Sequence, residues 1–140
     1  MGANQSLKRL TFEDMQRIID IKDIHNIKDI HEIKDFILIN TMSLTDQSCL
    51  IPKTVTATEE TALLNTLLGK RQKNVRIVIY GRNCNDETVL SKHNQIVSLG
   101  FTDVSVYLGG MFEWLLLQDI YTSALFPTVG QETDLLRFKQ

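Results

Sequence analysis

One stretch of this sequence, residues 81–88, combines the residue types and the spacing that could do chemistry. A β-branched and aromatic run at 75–80 precedes it and predicts a strand buried on both faces. After it, apolar residues recur at the spacing of one helix face and end at Leu99-Gly100, a typical left-handed helix stop. In such a strand–loop–helix unit, backbone N–H groups at the start of the helix converge on an anion. The candidate site is therefore this loop, whose residues are Gly81, Arg82, Asn83, Cys84, Asn85, Asp86, Glu87 and Thr88.

The loop contains one thiol and an unfavourable balance of charge. Cys84 could act as a nucleophile or a redox thiol, but the favoured interpretation is a small loop residue that happens to be cysteine. Asp86 and Glu87 are negative where an anion site needs positive charge, and Arg82 is the loop's only cation. Cys49, beside a proline turn, is expected to fill apolar space, although a redox pair with Cys84 stays open. Two cysteines without a secretory leader indicate a reducing compartment, the cytoplasm.

Size and charge limit the class of protein. The 140 residues predict one domain, and 43% hydrophobic with 23% charged residues is ordinary for a soluble globular protein. A net charge of -2 without a long basic run argues against nucleic acid as a partner. No apolar run is long enough to span a membrane. His25 and His31 are not at the one-turn spacing of a helical metal site, so no metal or other cofactor is predicted.

The first ten residues are predicted to be a flexible leader, and the folded domain to cover residues 11–140. Met1-Gly2 with Ser6 fits the pattern for N-myristoylation, in which Gly2 would carry the acyl group. One acyl chain predicts only weak membrane attachment. Thr11 is expected to cap the first helix. Residues 21–35 repeat an isoleucine-rich hexad whose spacing wraps around a helix instead of forming one face, which indicates an insertion.

Strands that alternate with helices predict an α/β fold with a parallel sheet and helices on both faces. The strands are expected at 36–40, 75–80 and 104–108. A capping box at Thr56 opens a helix that should stop at Gly69. His93 lies on the apolar stripe of the helix after the loop, where a packed core histidine is a better interpretation than a catalytic base.

These elements carry motifs that resemble the rhodanese family over residues 11–118. Ile-Asn-Thr-Met at 39–42 is similar to the family's Leu-Ile-Asp-Val-Arg strand end, and Cys-Leu-Ile-Pro at 49–52 to its Gly-His-Ile-Pro-Gly turn. Ile-Tyr at 79–80 resembles the Val-Tyr-Cys that opens the family's catalytic loop. The most specific match is Leu-Gly-Phe, Val, Gly-Gly and Trp across 99–114. The resemblance implies a single rhodanese-like α/β domain whose parallel sheet has about five strands.

The sequence departs from the family at the positions that carry its chemistry. Active rhodaneses hold sulfur as a persulfide on a loop cysteine, and Gly81 stands at that position here. Asn40 and Met42 replace the family's Asp and Arg, and Leu50 replaces its His. The span from Gly81 to Gly100 is longer than the family's usual spacing. Residues 112–121 with 126–128 also resemble a divergent rhodanese-like group of protists and large DNA viruses.

The resemblance and the departures together favour a catalytically inactive rhodanese-like domain that binds a protein partner or a small anion. Two alternatives stay open at this point. One is a sulfurtransferase or thiol-redox enzyme that uses Cys84. The other is a structural protein associated with a membrane or a virus particle.

Overall fold

A computed structural model describes residues 7–19 and 36–140 of the chain. The predicted repeat insertion at 21–35 and the acylation candidate Gly2 lie outside the described residues. The elements, in chain order, are β1 (Lys8–Arg9), α1 (Phe12–Ile19), β2 (Phe36–Asn40), a 3-10 turn (Leu44–Asp46), β3 (Thr54–Val55), α2 (Ala57–Gly69), β4 (Arg76–Tyr80), α3 (Glu87–Ser98), β5 (Asp103–Tyr107) and α4 (Gly110–Tyr121).

The strands of the described chain form one five-stranded parallel sheet in the order β1-β5-β4-β2-β3. Asn40 pairs with Tyr80 and Tyr80 with Tyr107, so the carboxyl ends of the three central strands lie at one edge. Connections that follow these ends therefore meet there, which is where ligands bind in open α/β sheets. This architecture confirms the predicted α/β fold.

The central strands bury side chains on both faces because their sequences are almost continuously apolar. Val78 and Tyr80 face one apolar cluster with α1 and α4, while Ile77 and Ile79 face a second cluster with α2 and α3. Successive side chains of a strand point to opposite faces, so one short strand supports both layers. Trp114 of α4 is fully buried in the first cluster, and its indole N–H donates to the Pro127 carbonyl at 2.8 Å. No helix of the described residues is long and apolar enough to cross a membrane.

The boundary of the predicted leader is corrected by β1. Lys8 and Arg9 pair with Ser105 and Val106 of β5, and the Leu10 N–H donates to the Val106 carbonyl at 2.8 Å. On the side away from β4, the backbone N–H and C=O groups of β5 need hydrogen-bond partners, and an extended segment that lies alongside supplies them. Two charged side chains have no strand signature of their own, so the sequence pattern did not predict this strand.

The predicted cap of the first helix is confirmed. The Asp14 N–H donates to the Thr11 hydroxyl at 3.2 Å, and the Thr11 N–H donates to the Asp14 carboxylate at 2.9 Å. This reciprocal pair satisfies two backbone donors that the first turn of a helix leaves free. The backbone hydrogen bond from Thr11 holds the pKa of Asp14 below its usual range.

Candidate functional site

The loop between β4 and α3 is closed around its own carboxylate. Asp86 caps α3 and accepts hydrogen bonds from two backbone N–H groups, from Thr88 at 3.0 Å and from Arg82 at 3.0 Å. One carboxylate oxygen thus accepts from Thr88 at the start of α3, and the other accepts from Arg82 at the start of the loop. These are the donors that would stabilise a bound anion in an open cradle. Two backbone donors of the loop are therefore occupied by a carboxylate of the chain itself.

Gly81, which the motif resemblance aligns with the family's nucleophile, has room for a side chain only if neighbouring side chains move. A Cβ there would overlap the Asp86 carboxylate and come within 2.7 Å of both Thr41 Oγ1 and Val89 Cγ2. The loop is also bonded to the start of α4, because the Gly81 carbonyl accepts from the Met111 N–H at 2.9 Å. Gly110 allows this approach: it has a φ of +68°, and a Cβ there would lie 2.6 Å from the Gly81 carbonyl oxygen. Gly81 is consequently packed against the side chains around Asp86 and against the start of α4, and it carries no nucleophilic atom itself.

The two cysteines are placed differently from each other. Cys84 is exposed in the loop, and the neighbouring Asn85 N–H donates to the Asn83 side-chain oxygen at 2.8 Å. Cys49 is buried in the apolar cluster of α1 and α4, and this burial raises the pKa of its thiol. Both thiols are free. The N–H groups of Arg82 and Thr88 donate to Asp86 and not to either sulfur atom.

The other positions that differ from the family's motifs, Asn40, Met42 and Leu50, are buried. Met42 and Leu50 are buried in the apolar cluster of α1 and α4. Asn40 is 2% exposed, and its amide exchanges hydrogen bonds with the Gln47 amide at 2.8 and 3.0 Å. These neutral side chains hold the end of β2 and the following turn together.

Arg82, the loop's cation, binds a carboxylate that lies far away in the sequence. Its Nη1 donates to Asp46 at 2.7 Å, and Nη2 of Arg137 donates to the other Asp46 oxygen at 2.8 Å. Asp46 is 9% exposed. The hydrogen bond from Arg137 and the charge of Arg82 hold the pKa of Asp46 below its usual range. We call Asp46, Arg82 and Arg137 the arginine–aspartate cluster; no local sequence pattern indicates it, because its members are separated by up to 91 residues.

A polar groove of about 370 Å³ opens beside the loop, on the α2 and α3 side of the sheet. Glu60 and Lys92 form an ion pair there at 2.6 Å, with the Glu60 side chain 10% exposed. The groove therefore presents charges of both signs, surrounded by hydroxyl and amide groups. Its lining residues are Asn40, Thr41, Met42, Ala57, Glu60, Thr61, Thr88, Ser91, Lys92 and Gln95.

His93 lies on the core side of α3 and is 4% exposed, as the apolar stripe predicted. Its Nε2 makes no hydrogen bond to any described residue. It does not line the groove, so the structure does not place it among the residues that could contact a ligand there. Residues 7–19 and 36–140 contain no group of three or more side chains able to hold a metal ion.

Comparisons with known proteins identify the family. The model of the rhodanese-like domain family matches residues 3–117 of the chain. The chain therefore belongs to the rhodanese-like domain family, and the resemblance found in its motifs is confirmed. No curated protein sequence matches it at a significant level.

Solved structures share the fold. The BH2092 protein of Bacillus halodurans is 18% identical with a TM-score of 0.56, over 78% of this chain and 72% of that one. The Alr3790 protein of Anabaena sp. is 22% identical with a TM-score of 0.52, over 83% and 97%. The single-domain sulfurtransferase RDL2 of Saccharomyces cerevisiae is 13% identical with a TM-score of 0.53, over 89% and 98%. At such identities the similarity shows the fold alone.

Proposed function

We propose that this protein is a catalytically inactive rhodanese-like domain that acts by binding a protein partner. The observation that carries the proposal is at Gly81, where a side chain would overlap the Asp86 carboxylate. Sulfur transfer needs a thiolate that attacks the sulfur donor and a surrounding set of N–H groups that stabilises its charge. Here the first position of the loop, Gly81, has no thiol, and two of the loop's N–H groups, those of Arg82 and Thr88, are bound to Asp86.

The same carboxylate disfavours a small anion as the ligand of the loop. An anion placed among these donors would displace Asp86 or lie beside it, and two like charges at that distance repel strongly. A protein partner does not need the cradle, because it contacts a surface. The loop, the arginine–aspartate cluster and the polar groove all lie at or near the carboxyl edge of the sheet, and together they offer such a surface.

The alternative of an enzyme that uses Cys84 is supported by one observation, the exposure of this free thiol. A direct experiment separates the two functions. Purified protein should transfer no sulfur from thiosulfate to cyanide above a blank without protein, and intact-mass spectra after thiosulfate treatment should show no persulfide. Turnover that Cys84→Ser abolishes and Cys49→Ser preserves would replace our proposal with a sulfurtransferase.

The proposal includes a cytoplasmic location with weak membrane attachment through an acyl group on Gly2, which the Met1-Gly2 and Ser6 pattern supports. We expect the mass of a myristoyl group on the chain expressed in a eukaryotic host, and its loss in Gly2→Ala. Because one acyl chain binds membranes marginally, only a small fraction should sediment with vesicles. An unmodified or acetylated mass would remove membrane attachment from the proposal and leave the binding function unchanged.

A further inference from the structure

The tail segment, residues 131–140, lies against the loop in the way that a bound peptide would. Two loop side chains hold the main-chain oxygens of four successive tail residues. Arg82 donates through Nη2 to Arg137 at 2.7 Å and through Nε to Gln140 at 2.8 Å. Between them, the Asn83 amide donates to Phe138 at 2.8 Å and to Lys139 at 3.0 Å. Hydrogen bonds to main-chain oxygens are independent of the side chains of the bound segment, so these four contacts do not themselves select its sequence.

Selectivity comes from two neighbouring tail residues. Arg137 donates to the buried Asp46 carboxylate at 2.8 Å. Phe138 is 1% exposed, and the guanidinium groups of Arg82 and Arg137 lie 5.1 and 5.7 Å from the centre of its ring. Cations over an aromatic face add attraction to the burial of the ring. Among the flanking residues, Leu136 is 62% exposed and the residues after Phe138 are exposed as well, whereas Leu135 packs against the apolar cluster of α1 and α4.

We propose that Asp46, Arg82 and Asn83 form a peptide-recognition surface for a partner segment in which an arginine is followed by an aromatic residue. The tail segment is then the resident competitor for that surface. This inference rests on the proposed function, which it deepens by naming the surface and the chemistry of the partner. The partner's arginine would pair with Asp46, and its aromatic ring would take the place of the Phe138 ring. Arg82 and Asn83 would donate hydrogen bonds to its main-chain oxygens.

Because the tail segment is part of the same chain, it competes strongly with a partner peptide for this surface, but its binding there is reversible. A segment on a short flexible connection is present at an effective concentration of about millimolar. A partner peptide whose intrinsic Kd is about 0.1 mM or lower, equal to that of the tail, therefore binds the unmodified chain at least about tenfold more weakly than a chain whose tail has been disabled. A partner protein overcomes this difference by adding contacts outside the loop, for which the polar groove beside the loop is available.

The test uses the full chain with the substitutions Arg137→Glu and Phe138→Ser, which remove both selective contacts in the tail. The probe is a fluorescein-labelled peptide of sequence Leu-Leu-Arg-Phe-Lys-Gln, the sequence of residues 135–140. By fluorescence anisotropy it should bind this variant at least about tenfold more tightly than the unmodified chain. Peptides with the Phe changed to Ala, or the Arg changed to Glu, should lose at least about tenfold in affinity. Adding Arg82→Ala to the variant should abolish binding.

No binding to the folded variant at about 1 mM peptide, or equal affinity of the matched and changed peptides, would overturn the inference. If the double variant does not fold, Arg137→Glu alone keeps Phe138 in place, and excess matched peptide should raise its melting temperature by mass action. No rise, or a rise equal to that given by the changed peptide, would also overturn it. Failure here leaves the absence of sulfur transfer as a separate result, whereas sulfur transfer in the assay above would refute the proposed function directly.

Discussion

Gly81→Cys is expected to lower the free energy of unfolding by about 2 kcal/mol and to produce no sulfur transfer. The new Cβ would overlap the Asp86 carboxylate and crowd Thr41 and Val89, so the loop must shift and lose the hydrogen bonds that cap α3. The thiol would also face a carboxylate, which opposes formation of a thiolate. Urea unfolding followed by the fluorescence of Trp114, the only tryptophan, measures the first effect.

Gly69 provides a matched control for this substitution. Nothing lies within 4 Å of a Cβ added there, so Gly69→Cys introduces the same atoms without a clash. We expect it to change stability far less than Gly81→Cys. The addition of Asp86→Ser to Gly81→Cys should recover part of the lost stability, because serine is shorter and still caps a helix. A Gly81→Cys variant that is as stable as the unmodified chain and transfers sulfur would contradict our interpretation of the loop.

Asp46→Ala is expected to lower the free energy of unfolding by about 2 to 3 kcal/mol. The substitution leaves the guanidinium groups of Arg82 and Arg137 without the carboxylate that both contact. Their side chains are 30% and 41% exposed, so water compensates part of the loss and the cost stays below that of a fully buried pair.

A double-mutant cycle isolates this interaction. The loss from Asp46→Ala should shrink when Arg137 is already alanine, because one of the two ion pairs is then absent. Asp119→Ala, at an exposed position of α4, is the control and should be close to neutral. Full additivity of Asp46→Ala and Arg137→Ala would show that the arginine–aspartate cluster does not stabilise the tail segment.

The Asp46 carboxylate also makes stability depend on pH. Its pKa is lower in the folded than in the unfolded protein, so its contribution is fully present above the unfolded value of about 3.9. The contribution is lost as the pH falls from there through the folded-state pKa. Asp14 acts in the same direction. The free energy of unfolding should therefore fall on acidification from pH 6 to about pH 2, and less so in Asp46→Asn. Equal slopes for the two proteins would show that Asp46 is not perturbed by its partners.

Sequence reasoning predicted the features that depend on short-range patterns. The buried strand before the loop, the cap at Thr11 and the helix that ends at Gly69 all follow from residues within a few positions of one another. The glycine at the loop's first position was also visible in the sequence, and it has no reactive side-chain atom. Local periodicity and turn chemistry carry this information directly, so one sequence was enough for the fold class.

Tertiary structure decided the features that depend on contacts between distant segments. Only the folded chain shows that Lys8 and Arg9 complete the sheet, since their partners lie on β5. The contacts of Asp46 with Arg82 and Arg137 likewise arise from folding, because nothing in the sequence links a turn after β2 to the tail segment. The direction in which the Asp86 carboxylate points was also undetermined, since the same residue could have faced solvent. These contacts depend on which backbone groups and charges still lack a partner once the core has packed. That depends on the whole fold and not on any local stretch of sequence.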